Sequence, residues 1–183
     1  MNGHHLILGE LRDFVTGKTL TDTHDERYRQ KLARFLVQRQ GFAKKELKTR
    51  RFIRLNIDGR QEPAVVDLVV EIQGRVAMIL KYGPGSLVTR YRPALAASRL
   101  LAHYQIPYVV VTNGEDADIL DGASGHLLGS GLEAIPHRDE VLKKIAATEF
   151  SPIPENRLQG EARILYCFEI EGRCPCDGPL CEI

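Results

Sequence analysis

Tyr28, Leu32, Phe35 and Leu36 fall at the i, i+4, i+7, i+8 spacing of one helix face. Thr23, with Glu26 three residues on, reads as a capping box that opens this helix, and Gly41 as the cap that closes it. The period then changes. Runs rich in Val, Ile and Phe at 52–57, 64–72 and 75–81 predict strands, the last two folded back on each other at Gln73-Gly74. Gly83-Pro84-Gly85 ends that hairpin. Pro93 opens a second helix, to about Tyr104, with Leu95, Ala96, Leu100 and Leu101 inward. The run from Pro107 to Thr112 is continuously apolar, the type of strand buried on both faces. Asn113-Gly114 turns the chain into a strand at 117–121, Gly122 to Gly125 makes another turn, and a last helix spans about 138–148.

The order α-β-β-β-α-β-β-α predicts an α/β fold of the α+β kind, a mixed sheet with helices on its faces. Ser151 to Asn156, with its two prolines, reads as a linker that divides residues 1–150 from a cysteine-bearing tail, 151–183. At 183 residues, 43% hydrophobic and 27% charged, the chain is long enough and apolar enough to bury a core. Its apolar stretches fall far short of the roughly 20 residues of a membrane span. The N-terminus lacks a basic-then-apolar leader, so the expectation is a soluble cytoplasmic protein with no membrane partner.

Net charge is only +1, but it is unevenly placed. Between Arg27 and Arg54 there are eleven Lys or Arg against one acid, Glu46. Such a one-signed run is either a solvated helix face or a surface for phosphates, and i,i+4 salt bridges do not account for it. Asp67 and Lys81 add a sharper signal. The hairpin brings this carboxylate and this ammonium together in an otherwise apolar strand pair, the skeleton of a metal-dependent phosphodiesterase site, with Ile79 where a second acid would stand. Glu71 shares the strand parity of Asp67 but lies roughly 13 Å along the strand, too far to share an ion.

Several stretches together carry a family resemblance. They are Asp25-Glu26-Arg27-Tyr28-Arg29-Gln30, Gly41-Phe42, Val66-Asp67-Leu68-Val69-Val70, Ile79-Leu80-Lys81, the helix at 93–104 and Val110-Val111-Thr112-Asn113-Gly114. From about residue 9 to 130 the chain resembles the N-terminal domain of the R subunit of type I restriction enzymes, a branch of the PD-(D/E)xK nuclease-like fold. The resemblance implies a restriction-endonuclease-like αβββαβ core. It matches Asp67 to the first acid, Lys81 to the lysine and Glu26 to the helix glutamate that reaches a Mg²⁺ ion. Ile79 takes the place of the second acid and Val66 that of the proline. Only Asp67, Glu26 and the Leu80 carbonyl then remain as oxygen ligands for a hard cation. Glu26 is alternatively the capping partner of Thr23, and Asp67 and Lys81 alternatively neutralise each other. Lys48, Arg50, Arg51, Arg54, Arg90 and Arg92 are the candidates for phosphate contact; Arg90 and Arg92 read equally well as surface arginines.

All four cysteines lie in the last seventeen residues, Cys167-x6-Cys174-Pro-Cys176-x4-Cys181. Four thiolates suit tetrahedral Zn²⁺, and the Cys-x-Cys-x4-Cys portion resembles the post-SET zinc tail of histone methyltransferases. An iron–sulfur cluster, disulfides and free thiols are the other readings. The histidines form no HExxH pair, and there is no P-loop and no GxSxG elbow. The functional expectation is a nucleic-acid-binding protein with an impaired cleavage site. An active Mg²⁺-dependent DNA endonuclease using Asp67, Lys81 and Glu26 is the alternative, and a protein-interaction module the second alternative.

Overall fold

The computed structural model describes residues 7–57 and 59–171. A two-stranded ribbon, β1 (Gly9–Arg12) and β2 (Thr19–Asp22), leads into α1 (His24–Gln38). Three strands follow, β3 (Leu47–Ile57), β4 (Arg60–Ile72) and β5 (Arg75–Tyr82), then α2 (Tyr91–Leu101). The chain continues through β6 (Tyr108–Thr112), β7 (Ala117–Asp121) and β8 (Leu127–Ser130) to α3 (Arg138–Ala147) and α4 (Glu155–Tyr166). It is an α+β fold. The larger sheet has the order β3-β4-β5-β6-β7-β8, and its neighbours are antiparallel except for β5 and β6. That single parallel step is bridged by α2, as a parallel pair requires.

Helices cover both faces of this sheet, which is why its central strands are apolar throughout. On one face Leu32 and Leu36 of α1 and Val141 of α3 pack on Leu68, Met78 and Val110. On the other, Ala94 and Ala97 of α2 and Leu165 of α4 pack on Val69, Ile79 and Val109. Gln73 and Gly74 both have positive φ, 53° and 72°, the two-residue turn that matches strand twist and fixes the β4–β5 register. At the register shift beside Val70/Glu71 the extra residue is Ala77 of β5, and Glu71 is half-buried opposite Val76.

Four boundaries differ from the sequence expectations. α1 is N-capped by Thr23, whose side chain accepts from the Glu26 N–H at 3.2 Å, but its C-cap is Arg39 and Gly41 lies two residues beyond. α2 starts two residues before Pro93 and ends at Leu101, where Ala102 is extended. Tyr104 has left the helix to take the Val76 N–H on its hydroxyl at 2.6 Å. β3 begins at Leu47, inside the basic segment. The stretch expected to be a linker is short extended chain bridged at Pro152 to Tyr104, and α4 then packs on α2 with Leu165 buried. Leu165 lies in the same buried cluster as Ala94 and Ala97 of α2.

The β3–β4 ribbon changes sides midway. Leu47, Leu68 and Val70 belong to the α1-side cluster, whereas Ile53, Leu55, Ala64 and Val66, at the same strand parity, belong to the α2-side cluster. The register is continuous across the change, Thr49 pairing Leu68 and Arg51 pairing Val66. The skipped rung between them is Arg50 and Asp67. Arg50 has φ +51°, left-handed backbone that costs a non-glycine residue about 1–2 kcal/mol. The twist that turns the ribbon also aims these two side chains at α1.

Candidate nucleic-acid site

Asp67 is 6% exposed between Val66 and Leu68. The β4–β5 ladder ends at Leu68–Leu80, and beyond it the strands part. The Asp67 carboxylate fills the gap: its Oδ2 accepts from the Tyr82 N–H at 2.8 Å, and its Oδ1 from Arg29 Nε at 2.6 Å. A buried carboxylate is costly unless it is paired in this way.

Glu26 is 5% exposed in the first turn of α1. Its carboxylate does not reach back to Thr23. Oε1 accepts from Gln30 at 2.8 Å, and Oε2 is held by the Arg50 guanidinium, with Arg29 Nη1 3.6 Å away. Arg29 therefore stands between Asp67 and Glu26. Burial lowers the Arg29 pKa, but the Asp67 carboxylate outweighs it and the guanidinium is held above its ordinary value. Arg50 reaches on to Asp13, whose other oxygen takes the Val15 and Thr16 N–H groups. Burial works to raise the Asp13 pKa, but these N–H groups and Arg50 prevail and hold it below the usual carboxylate range.

Lys81 is 8% exposed on β5. Its Nζ donates to the Val65 carbonyl at 2.6 Å and pairs with Glu169 at 3.1 Å. Asp67 and Lys81 make no direct ion pair among the described residues. Ile79 is fully buried opposite Val69, offering no oxygen. Tyr82 donates its hydroxyl to Asp25 at 3.2 Å and stacks on Tyr28 at 5.7 Å. Burial first, then the Asp25 carboxylate, push the phenol up to about 12, so it keeps its proton at neutral pH. Gly114 carries φ +93°, and an added Cβ would collide with the Tyr28 ring, so this close approach of the β6–β7 turn to α1 requires glycine.

The residues expected to bind nucleic acid divide into two groups. Arg50 is committed to Glu26 and Asp13, and Arg92 to Glu161 at 2.5 Å. Lys48 caps the Lys45 carbonyl at 3.1 Å, and Arg90 lies across Gly83 with a 3.3 Å bond to the Pro84 carbonyl. Arg51 and Arg54 are exposed and make no ion pair among the described residues. Part of the basic run is paired within the protein: Arg29 and Arg50 meet buried carboxylates, and Arg27 and Arg39 make more exposed pairs.

A Mg²⁺ ion needs oxygen ligands with free lone pairs in near-octahedral geometry. Here Asp67 is occupied by Arg29 and the Tyr82 N–H, and Glu26 by Gln30 and Arg50. The donor set does not fit the ion with Arg29 in place. The sequence singles out Asp67, Lys81 and Glu26 but not the side chains that the structure places against them. Arg29 carried one local signal, its i,i+3 spacing from Glu26; Asp13 and Glu169 carried none. Cys167 is exposed at the start of a π-helical turn, Cys167–Glu171, that continues α4, while Cys174, Cys176 and Cys181 lie outside the described residues.

A mixed sheet between helices thus carries an aspartate and a lysine on neighbouring strands and a glutamate on the first helix. The chain belongs to the family of the type I restriction enzyme R protein N terminus, whose family model matches residues 24–136. No curated protein and no solved structure matches it. No helix among the described residues is long and apolar enough to cross a membrane.

Proposed function

We propose that this protein binds nucleic acid through a nuclease-derived site that no longer cuts. The observation that carries the reading is Arg29, a fixed cation between Asp67 and Glu26 where catalysis would need a metal. With Ile79 supplying no carboxylate, the site keeps the Arg29 and Lys81 cations but lacks free oxygens to hold a metal that would activate water. Arg51 and Arg54 on the edge strand β3, with Lys48 and Arg90, supply the contacts to backbone phosphates, which position a nucleic acid without reading its sequence.

Labelled duplex and single-stranded DNA, each with Mg²⁺, Mn²⁺ or EDTA, test this directly. Salt-sensitive binding that is indifferent to metal, without cleavage, is the expected result. Metal-dependent cutting that vanishes in Asp67→Ala would establish the active endonuclease instead. Replacing Arg51 and Arg54 together with alanine weakens binding about equally for all sequences and lowers the salt slope by roughly one unit per lost phosphate contact. An unchanged slope would exclude β3 from the interface. One observation favours a protein partner as a second reading: Leu127 and Leu128 are exposed on the other edge strand, β8. Absence of any nucleic-acid binding would leave that edge as the functional surface.

The cysteine tail is proposed to hold Zn²⁺, or else an iron–sulfur cluster, through Cys167, Cys174, Cys176 and Cys181. Thiolate ligands require a reducing compartment, which is the reason to place the protein in the cytoplasm. Elemental analysis of the full chain purified without added metal is expected to give zinc equimolar with protein. A brown protein with iron and sulfide identifies the cluster, and neither metal would remove the tail from the list of sites.

A further inference from the structure

We propose that Glu169 is an intramolecular stand-in for a backbone phosphate, seated on Lys81 and closing the site until nucleic acid displaces it. The inference deepens the binding function proposed above and takes its ligand from that reading. Glu169 comes from the π-helical turn after α4, outside the span 24–136 that defines the family. Its Oε2 lies 3.1 Å from Lys81 Nζ, inside a small cavity of about 60 Å³ that is also lined by Gly83 and Arg90. Two cations of separate elements thus line one recess, and the anion paired with Lys81 there is a side chain of the protein.

α4 aims this side chain. Glu161, Leu165 and Glu169 follow at i, i+4 and i+8. Glu161 is tied to Arg92 and Arg99, and Leu165 is fully buried, so the stripe ends over β5 with Glu169 at Lys81. The anchor is enclosed and the tip is reached by solvent: the Glu161 side chain is 4% exposed and that of Glu169 22%. A phosphodiester offers the same chemistry with further contacts elsewhere on the strand, so it can take the seat. Lys81 already spends one donor on the Val65 carbonyl and keeps the others for an anion.

The Glu169→Gln variant keeps shape and loses charge. It is expected to bind duplex DNA roughly two- to fivefold more tightly at low salt. Its salt slope should steepen by roughly 0.9, one added phosphate contact. A second readout needs no DNA: inorganic phosphate should raise the melting temperature of Glu169→Gln more than that of the parent. The added effect should disappear in Glu169→Gln combined with Lys81→Met. If phosphate stabilises the variant but no form binds DNA, the anion seat stands and the nucleic-acid reading fails. If the parent binds DNA and Glu169→Gln matches it in both assays, Glu169 is only a surface partner of Lys81 and the proposal is overturned.

Discussion

Replacing Glu161 with alanine lowers the stability of this protein by about 3–5 kcal/mol, the usual cost of breaking a buried ion pair from one side. Glu161 is 3% exposed and accepts from Arg92 at 2.5 Å and Arg99 at 2.7 Å, with Arg157 at 3.6 Å. Without the carboxylate, the buried Arg99 guanidinium keeps only the weak contacts of Nη2 with the Gly122 and Ala123 carbonyls, 3.5 and 3.4 Å away. Its Nε has no hydrogen-bond partner among the described residues. Thermal unfolding followed by circular dichroism should show a fall of roughly 6–20 °C for a chain of this size. Arg157→Ala, which removes a half-exposed partner, should cost less than about 1 kcal/mol. A Glu161→Ala loss as small as that would mean that α4 is held by its apolar contacts alone.

The same carboxylate gives the clasp a pH dependence. Burial works to raise the Glu161 pKa, but Arg92 and Arg99 outweigh it and hold the group below its ordinary 4.5. A depressed folded-state value means that the stabilisation is complete above about pH 4.5 and is lost as pH falls further. Asp13 acts in the same direction from its ordinary 3.8. Acid unfolding should therefore be shallower in Glu161→Ala than in the parent, with no difference in slope between neutral pH and pH 6.

The apolar pattern made the β3–β4–β5 meander, the Gln73-Gly74 turn, α1 and the β6 strand legible, because each carries its period or its turn chemistry locally. β1 and β2 escaped it. Each has four residues with a single apolar one, too few to show alternation. α4 escaped for a different reason: Glu161 interrupts its apolar face, and a charge rather than a leucine fastens it to α2. The candidate site's arrangement was opaque in the sequence. Arg29 and Asp67 are 38 positions apart, and an ion pair across such a distance leaves no spacing to read. The face switch of β3–β4 was hidden as well, since its left-handed residue is Arg50 and no glycine marks the place.

Replacing Arg29 with methionine tests whether that arginine stands in a metal's place. The change keeps an apolar stem against Tyr82, whose ring Arg29 overlies at 5.4 Å, and removes the charge. Asp67 then retains the Tyr82 N–H alone, and a buried carboxylate so left costs about 3–5 kcal/mol. Because 27% of the Arg29 side chain is solvent-exposed, water can partly replace it, and the low end of that range is expected. Adding Asp67→Asn removes the stranded charge and should recover part of the loss, a coupling of about 0.5–3 kcal/mol in a double-mutant cycle. Metal separates this account from simple loss of packing. Millimolar Mg²⁺ should leave the melting temperature of the parent unchanged, since its carboxylate oxygens are taken. In Arg29→Met the same ion finds Asp67 Oδ1 open, and binding to the folded state alone raises stability by mass action. If Mg²⁺ stabilises the parent as much as the variant, Arg29 yields to metal readily and the site has kept the first requirement of a nuclease.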